Sequence, residues 1–248
     1  MKLQEVFDQL THGELSQLSI GGNEAGTINP ANYDRLVPHV NLGLTALYKR
    51  FPLKENRFTL ELQSNRTVYP LTSKYAVSSR ASREVVRYIK DSAAVPFKDD
   101  IHKIEKVVAS TGYEFSLNDE SDEYGMFTPS ATVLRVSLDV ADQAMDLPDD
   151  LKTTLVEVIY RANHPLIVAD STFLEPEDIE LELPYSHLEP LLLFIASRVH
   201  TPTGMTNETN MGNTYAAKYE ASCQQLEMIN LRVDQGSQNS RLYRNGWV

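Results

Sequence analysis

Apolar residues recur at helical spacing at both ends of the chain. Near the N-terminus the spacing i, i+3, i+4, i+7 predicts an amphipathic helix. The residues that carry it are Leu3, Val6, Phe7 and Leu10. The same period over 33–51 predicts a second helix after the Asn-Pro pair at 29–30, with a kink or a late start at Pro38. Two C-terminal helices are predicted over 185–199 and 215–229.

Between the helical segments the period changes to two, which is typical of strands with one buried face. Residues 57–71 contain two alternating runs around a polar Ser64-Asn65 turn and predict a β-hairpin, and 84–89 predict a short helix. Further strands are predicted over 101–108, 113–117, 134–138, 155–160 and 179–183. The predicted fold class is α+β, a bundle of two N-terminal and two C-terminal helices interrupted by a mainly antiparallel β insertion.

The pattern divides the chain into three parts. The helical bundle is predicted over 1–56 and 184–230, the β-rich insertion over 57–183, and an extended C-terminal arm over 231–248.

The arm lacks a core-forming period but contains residue types that anchor protein interfaces. We expect it to bind a partner, either a neighbouring copy or another protein, although folding back onto its own chain is the alternative. Its candidate binding residues are Arg232, Arg241, Leu242, Tyr243, Arg244 and Trp247. Deletion of 232–248 is expected to weaken attachment and leave folding intact.

Composition excludes several functional classes. The chain has 248 residues and a net charge of −11, so its body should repel nucleic acid. The single cysteine, Cys223, excludes an intrachain disulfide and a thiolate zinc cluster. No apolar run is long enough to predict a membrane span. Two stretches, 114–123 and 170–189, carry acids and no Lys or Arg, and the second of them is a possible complement to the basic arm.

Candidate chemistry is sparse. No nucleotide-binding, metalloprotease or nucleophile-elbow motif is present, and the six histidines read as isolated surface or boundary residues. The acidic run 118–123 could offer oxygen ligands to Ca²⁺, but its spacing differs from that of a calcium loop and favours a solvated turn. We therefore predict no catalytic residues, no metal and no cofactor.

The arrangement resembles the head-to-tail adaptor (connector or neck) proteins of tailed bacteriophages, including the tail tubular A proteins. The segments that carry the resemblance are 33–36, 44–51, 58–60, 112–119, 179–184 and 191–196. The resemblance implies a non-enzymatic virion protein of the neck, assembled in the host cytoplasm. It also implies a twelve-fold homo-oligomeric ring, which joins the portal protein above to a downstream tail (nozzle) protein. Double-stranded DNA would pass through the ring without specific binding, and the arm would reach the portal.

Two alternatives remain open on the sequence. A tail-tube or tail-completion subunit would have a strand-dominated core, with 185–229 not helical. A carboxylate-dependent hydrolase of cell-envelope glycans would need two carboxyl groups facing one cleft, one of them with a raised pKa.

Overall fold

The computed structural model describes residues 1–16, 18, 26, 28, 32–79, 83–145, 147–168, 175–200 and 206–234, without the side chains of 206–209 and 230–234. The chain divides into two compact units, Met1–Leu47 with Leu166–Val248, and Tyr48–Pro165. Helices occur together with antiparallel sheets, which confirms the α+β class. None of the helices in these ranges is long and apolar enough to cross a bilayer.

The elements have the following bounds. The helices are α1 (Leu3–His12), α2 (Tyr33–Arg50), α3 (Leu138–Asp142), α4 (Leu188–His200) and α5 (Thr206–Asp234). The strands are β1 (Glu55–Glu61), β2 (Val68–Pro70), β3 (Ile89–Lys90), β4 (Ile101–Ala109), β5 (Glu114–Phe115), β6 (Phe127–Ser130), β7 (Val133–Arg135) and β8 (Leu155–Ala162).

The first unit holds α1, most of α2, α4 and α5, as the helical periods predict. The stripe of α1 is fully buried, and its Phe7 ring stacks on Tyr33 at the start of α2 with 4.7 Å between ring centroids. Helix α2 is continuous through Pro38. It approaches α4 closely at Gly43, where a Cβ atom would lie 2.7 Å from Leu191 Cδ1.

The segment predicted as a strand over 179–183 belongs to this helical unit. It pairs with the N-terminus of the chain, because the Leu3 N–H donates to Ile179 and the Leu181 N–H donates to Met1. Outside this pairing it joins neither sheet among the described residues. Both junctions between the units therefore fall earlier in the chain than the predicted boundaries after residues 56 and 183.

The second unit contains a five-stranded antiparallel sheet in the order β3-β1-β8-β4-β5 and a three-stranded antiparallel sheet in the order β2-β7-β6. The inward side chains of both sheets share one apolar core. The strands predicted over 101–108 and 155–160 are confirmed as β4 and β8. The return strand after β4 is also present, since β5 pairs with it beyond a turn in which Gly112 has φ +93°.

Two local predictions for this unit were wrong, and a third was right only in part. The 57–71 hairpin does not form, because β1 pairs with β3 and β8 whereas β2 pairs with β7 in the other sheet. Residues 84–89 are not helical, because Tyr88 and Ile89 are buried in the β core while Val85 is exposed. The strand predicted over 134–138 is the short β7, after which Ser137 caps α3.

Candidate interaction surfaces

The predicted arm begins in a helix. Helix α5 continues to Asp234, so residues 231–234 are helical and the extended arm can start only after them, which corrects its predicted start at 231. Arg232 lies in the last turn of α5, and its side chain is outside the described part of the chain. The other candidate binding residues also lie outside the described residues: Arg241, Leu242, Tyr243, Arg244 and Trp247.

One face of α5 packs against α4. The Tyr219 ring meets Phe194 at 5.3 Å between centroids, and the Tyr215 ring stacks on His200 at 5.2 Å. Cys223 is fully buried between these helices, consistent with a small packing residue. Ile229, the last residue of the helix predicted over 215–229, is 61% exposed because it lies on another side of the helix.

The opposite face of α5 is exposed and uncharged. Its members recur at spacings of seven, four, three and four residues, which places them in one row. We call this row the outer stripe; it consists of Asn210, Ala217, Ala221, Gln224 and Met228. The row is about 27 Å long at 1.5 Å per residue. A solvent-facing helix surface normally carries charges, so an uncharged row suits contact with another protein surface.

The acidic run 118–123 forms a tight turn that uses its own carboxylates. Asp119 accepts hydrogen bonds from the Ser121 N–H and hydroxyl at 2.9 and 2.6 Å, which lower the pKa of the Asp119 carboxyl. Asp122 accepts from the Ser116 hydroxyl at 2.6 Å and from the Tyr124 N–H at 3.0 Å. No cluster of three potential metal ligands occurs among the residues described. The turn has the hydrogen bonding of a solvated structural loop.

A cleft of about 720 Å³ lies beside β1 in the second unit, and nothing in the sequence pattern pointed to it. Its floor contains Tyr160, which donates to Asp100 Oδ1 at 2.8 Å, and Asn56, which donates to Asp100 Oδ2 at 3.1 Å. Burial and this hydrogen bond raise the pKa of Tyr160. The residues that form the network are far apart in the sequence, so only the strand pairing brings them together.

A second carboxyl group of this cleft, Asp91, is also held by hydrogen bonds. Asp91 accepts from the Ser78 N–H at 2.8 Å and from the Phe97 N–H at 2.9 Å, and also from the Ser78 hydroxyl. Despite some burial, these bonds lower the pKa of Asp91. A general acid of a glycosidase needs a raised pKa.

Two histidines lie deeper than the sequence indicated. His187 and His200 are 6% and 1% exposed in the helical unit, whereas every histidine was expected at the surface or boundary. Burial lowers the pKa of His187, because the charged imidazolium loses hydration. The sequence feature that could have predicted this burial is the position of both histidines near the ends of an apolar helix. The spacing between the histidines does not indicate it.

The chain was also compared with known proteins. No family model matches it, and no curated protein matches it significantly. The chain's own residues are therefore the basis of the proposals that follow.

Proposed function

We propose that this chain is a structural virion protein, the subunit of a head-to-tail adaptor ring that joins the portal to the tail of a bacteriophage. In this proposal α1, α2, α4 and α5 form a helical bundle, twelve copies close into a ring, and the arm strengthens attachment to the portal or to a neighbouring copy. The ring also binds a downstream tail protein.

The outer stripe of α5 is the observation that carries the proposal. A cyclic ring needs two different surfaces of each subunit to contact its neighbours. The stripe gives an uncharged, elongated surface for one such contact, on the helix that leads directly into the arm. A subunit that acts through assembly needs such a contact surface on the helix and a binding segment after it.

The charge of the chain supports a passive DNA channel. With 34 acids against 23 basic residues, the subunit has few cations to hold phosphates. Lys and Arg contacts to phosphate release counterions and slow the passage of a duplex, whereas acidic walls repel it. A ring of such subunits would let DNA move through without specific binding.

The alternatives have less support. A tail-tube or tail-completion subunit would leave 185–229 outside helices, but α4 and α5 are helices within that range. A glycan hydrolase needs a carboxyl group with a raised pKa in a cleft, and Asp91, the carboxyl in the cleft beside β1 with a shifted pKa, is shifted downward.

A charge placed on the outer stripe tests the proposal. Ala221→Glu puts a carboxylate in the predicted contact, where burying an unpaired charge costs several kcal/mol, about a hundredfold or more in association. Thr45→Glu on the exposed face of α2 is the matched control, because it adds the same charge to a helix surface outside the stripe. Light scattering with the portal protein should show assemblies with the control and none with Ala221→Glu; equal assembly by both variants would contradict the proposed role of α5.

A further inference from the structure

Strand β1 has an open edge. It pairs with β8 along its whole length, but on its other side the chain at β3 covers only the C-terminal part, Thr59 to Glu61. Neighbouring residues of a strand direct their backbone groups to opposite sides. The Leu62 N–H donates to Thr154, towards β8, whereas the Glu61 N–H donates to Tyr88, towards β3.

The alternation assigns the remaining backbone groups of β1. Odd-numbered residues face the β3 side, so Glu55 and Arg57 direct their N–H and C=O groups at the part of the edge that β3 leaves open. Among the described strands, none pairs with β1 at these two residues on that side. Four backbone groups in register are a template for a short added strand.

The cleft beside β1 determines what can bind there. Its outer wall is the segment 91–98, which follows β3 and anchors Phe97 against Phe58 with 5.1 Å between ring centroids. Val95 on this wall is 75% exposed, and it offers an apolar contact. Because the wall stands across the cleft from the strand edge, the site suits a single extended segment better than the edge of a second folded sheet.

The C-terminal arm of this chain has the chemistry for the site. Fourteen residues follow α5, and they can span up to about 48 Å when extended. Within them, the stretch Arg241-Leu242-Tyr243-Arg244 is free of Gly and Pro. Bound as a strand, it would direct its side chains alternately to two faces. An arginine on the outer face would lie beside the exposed Glu55, a favourable cross-strand charge pair.

We propose that residues 241–244 of one copy bind as an added strand at the open edge of β1 in another copy. The inference rests on the proposed function in that it assigns the arm to a neighbouring subunit. The acceptor surface is the open edge of β1. There the backbone of the arm pairs with Glu55 and Arg57, and its side chains contact Val95.

Cysteine cross-linking between full-length chains tests this directly. One chain carries Glu55→Cys, and a second chain carries a single cysteine at one of positions 241, 242, 243 or 244. The native Cys223 is fully buried and serves as an unreactive background. Glu114→Cys is the matched control, because it changes an exposed Glu on β5 at the other edge of the same sheet.

An added strand predicts an alternating pattern. Because side chains in a strand alternate between faces, either 241 and 243 or 242 and 244 should form the disulfide-linked heterodimer about tenfold better than the other pair. Equal yields at all four positions, equal yields with the Glu114→Cys control, or no heterodimer would each overturn the inference. A chain that carries both cysteines and cross-links only within itself would also overturn the inference.

A proline variant separates backbone pairing from charge. Arg57→Pro removes an N–H that β8 does not use, and Arg57→Ala removes the side chain but keeps that N–H. Relative to Arg57→Ala, we expect Arg57→Pro to reduce heterodimer yield by about fivefold to tenfold. Equal yields would refute backbone pairing. Electron microscopy without oxidant shows whether rings form, independently of cross-linking. If rings form but the cross-linking yields do not alternate, this inference is overturned and the adaptor proposal still stands.

Discussion

The close approach of α2 to α4 at Gly43 predicts that adding a methyl group there destabilises the protein. Helix propensity alone predicts the opposite sign. A Cβ at residue 43 would lie 2.7 Å from Leu191 Cδ1 and 3.1 Å from Phe194 Cδ1. Leu191 is completely buried, so it has little room to move. Gly43→Ala gains about 1 kcal/mol of helix propensity, whereas overpacking a core costs about 1–3 kcal/mol. We expect a net loss of about 1 kcal/mol in the free energy of unfolding.

A double-mutant cycle identifies the contact responsible. Leu191→Val removes the Cδ1 atom at a cost of about 1 kcal/mol. In that background Gly43→Ala should stabilise the protein by about 1 kcal/mol, a coupling of about 2 kcal/mol. Urea unfolding followed by circular dichroism at 222 nm reports mainly on the helical unit. If Gly43→Ala stabilises the native chain as propensity alone dictates, the close packing of α2 on α4 is refuted.

Two further predictions concern buried polar groups. Because burial lowers the pKa of His187 below the value near 6.5 of an unfolded chain, the unfolded state binds more protons in acid, and stability should fall as the pH drops below about 6.5. Urea midpoints at pH 7.5 and 5.5 should differ more for the native chain than for His187→Gln, and equal differences would contradict this. Tyr160→Phe removes the donor to Asp100 and should cost about 1–2 kcal/mol in unfolding; an unchanged midpoint would show that the hydrogen bond contributes nothing.

Local periodicity was enough to predict elements whose burial pattern is simple. The stripe of α1 and the alternation of β4 and β8 each face one core, so spacing alone indicates helix or strand. Local periodicity did not predict which strands pair with each other. Residues 57–62 and 67–69 are close in sequence and both alternate, yet β1 and β2 join different sheets, because pairing depends on long-range register that a local pattern does not contain.

The candidate surfaces show the same limit. The sequence indicated the buried face of α5 apart from Ile229, since that face depends on residue type and spacing. The outer stripe became visible only once the opposite face was known to pack on α4. The open edge of β1 required the observation that β3 is only two residues long.

The proposed adaptor would act through assembly. Contacts along α5 and at the arm would each contribute modest free energy, but a closed ring repeats them at every joint.

Electron microscopy of the purified chain mixed with portal protein would show the proposed ring itself. We expect rings of twelve copies seated on the portal, formed by the native chain and lost with Ala221→Glu. Particles that stay monomeric and never bind the portal would contradict it.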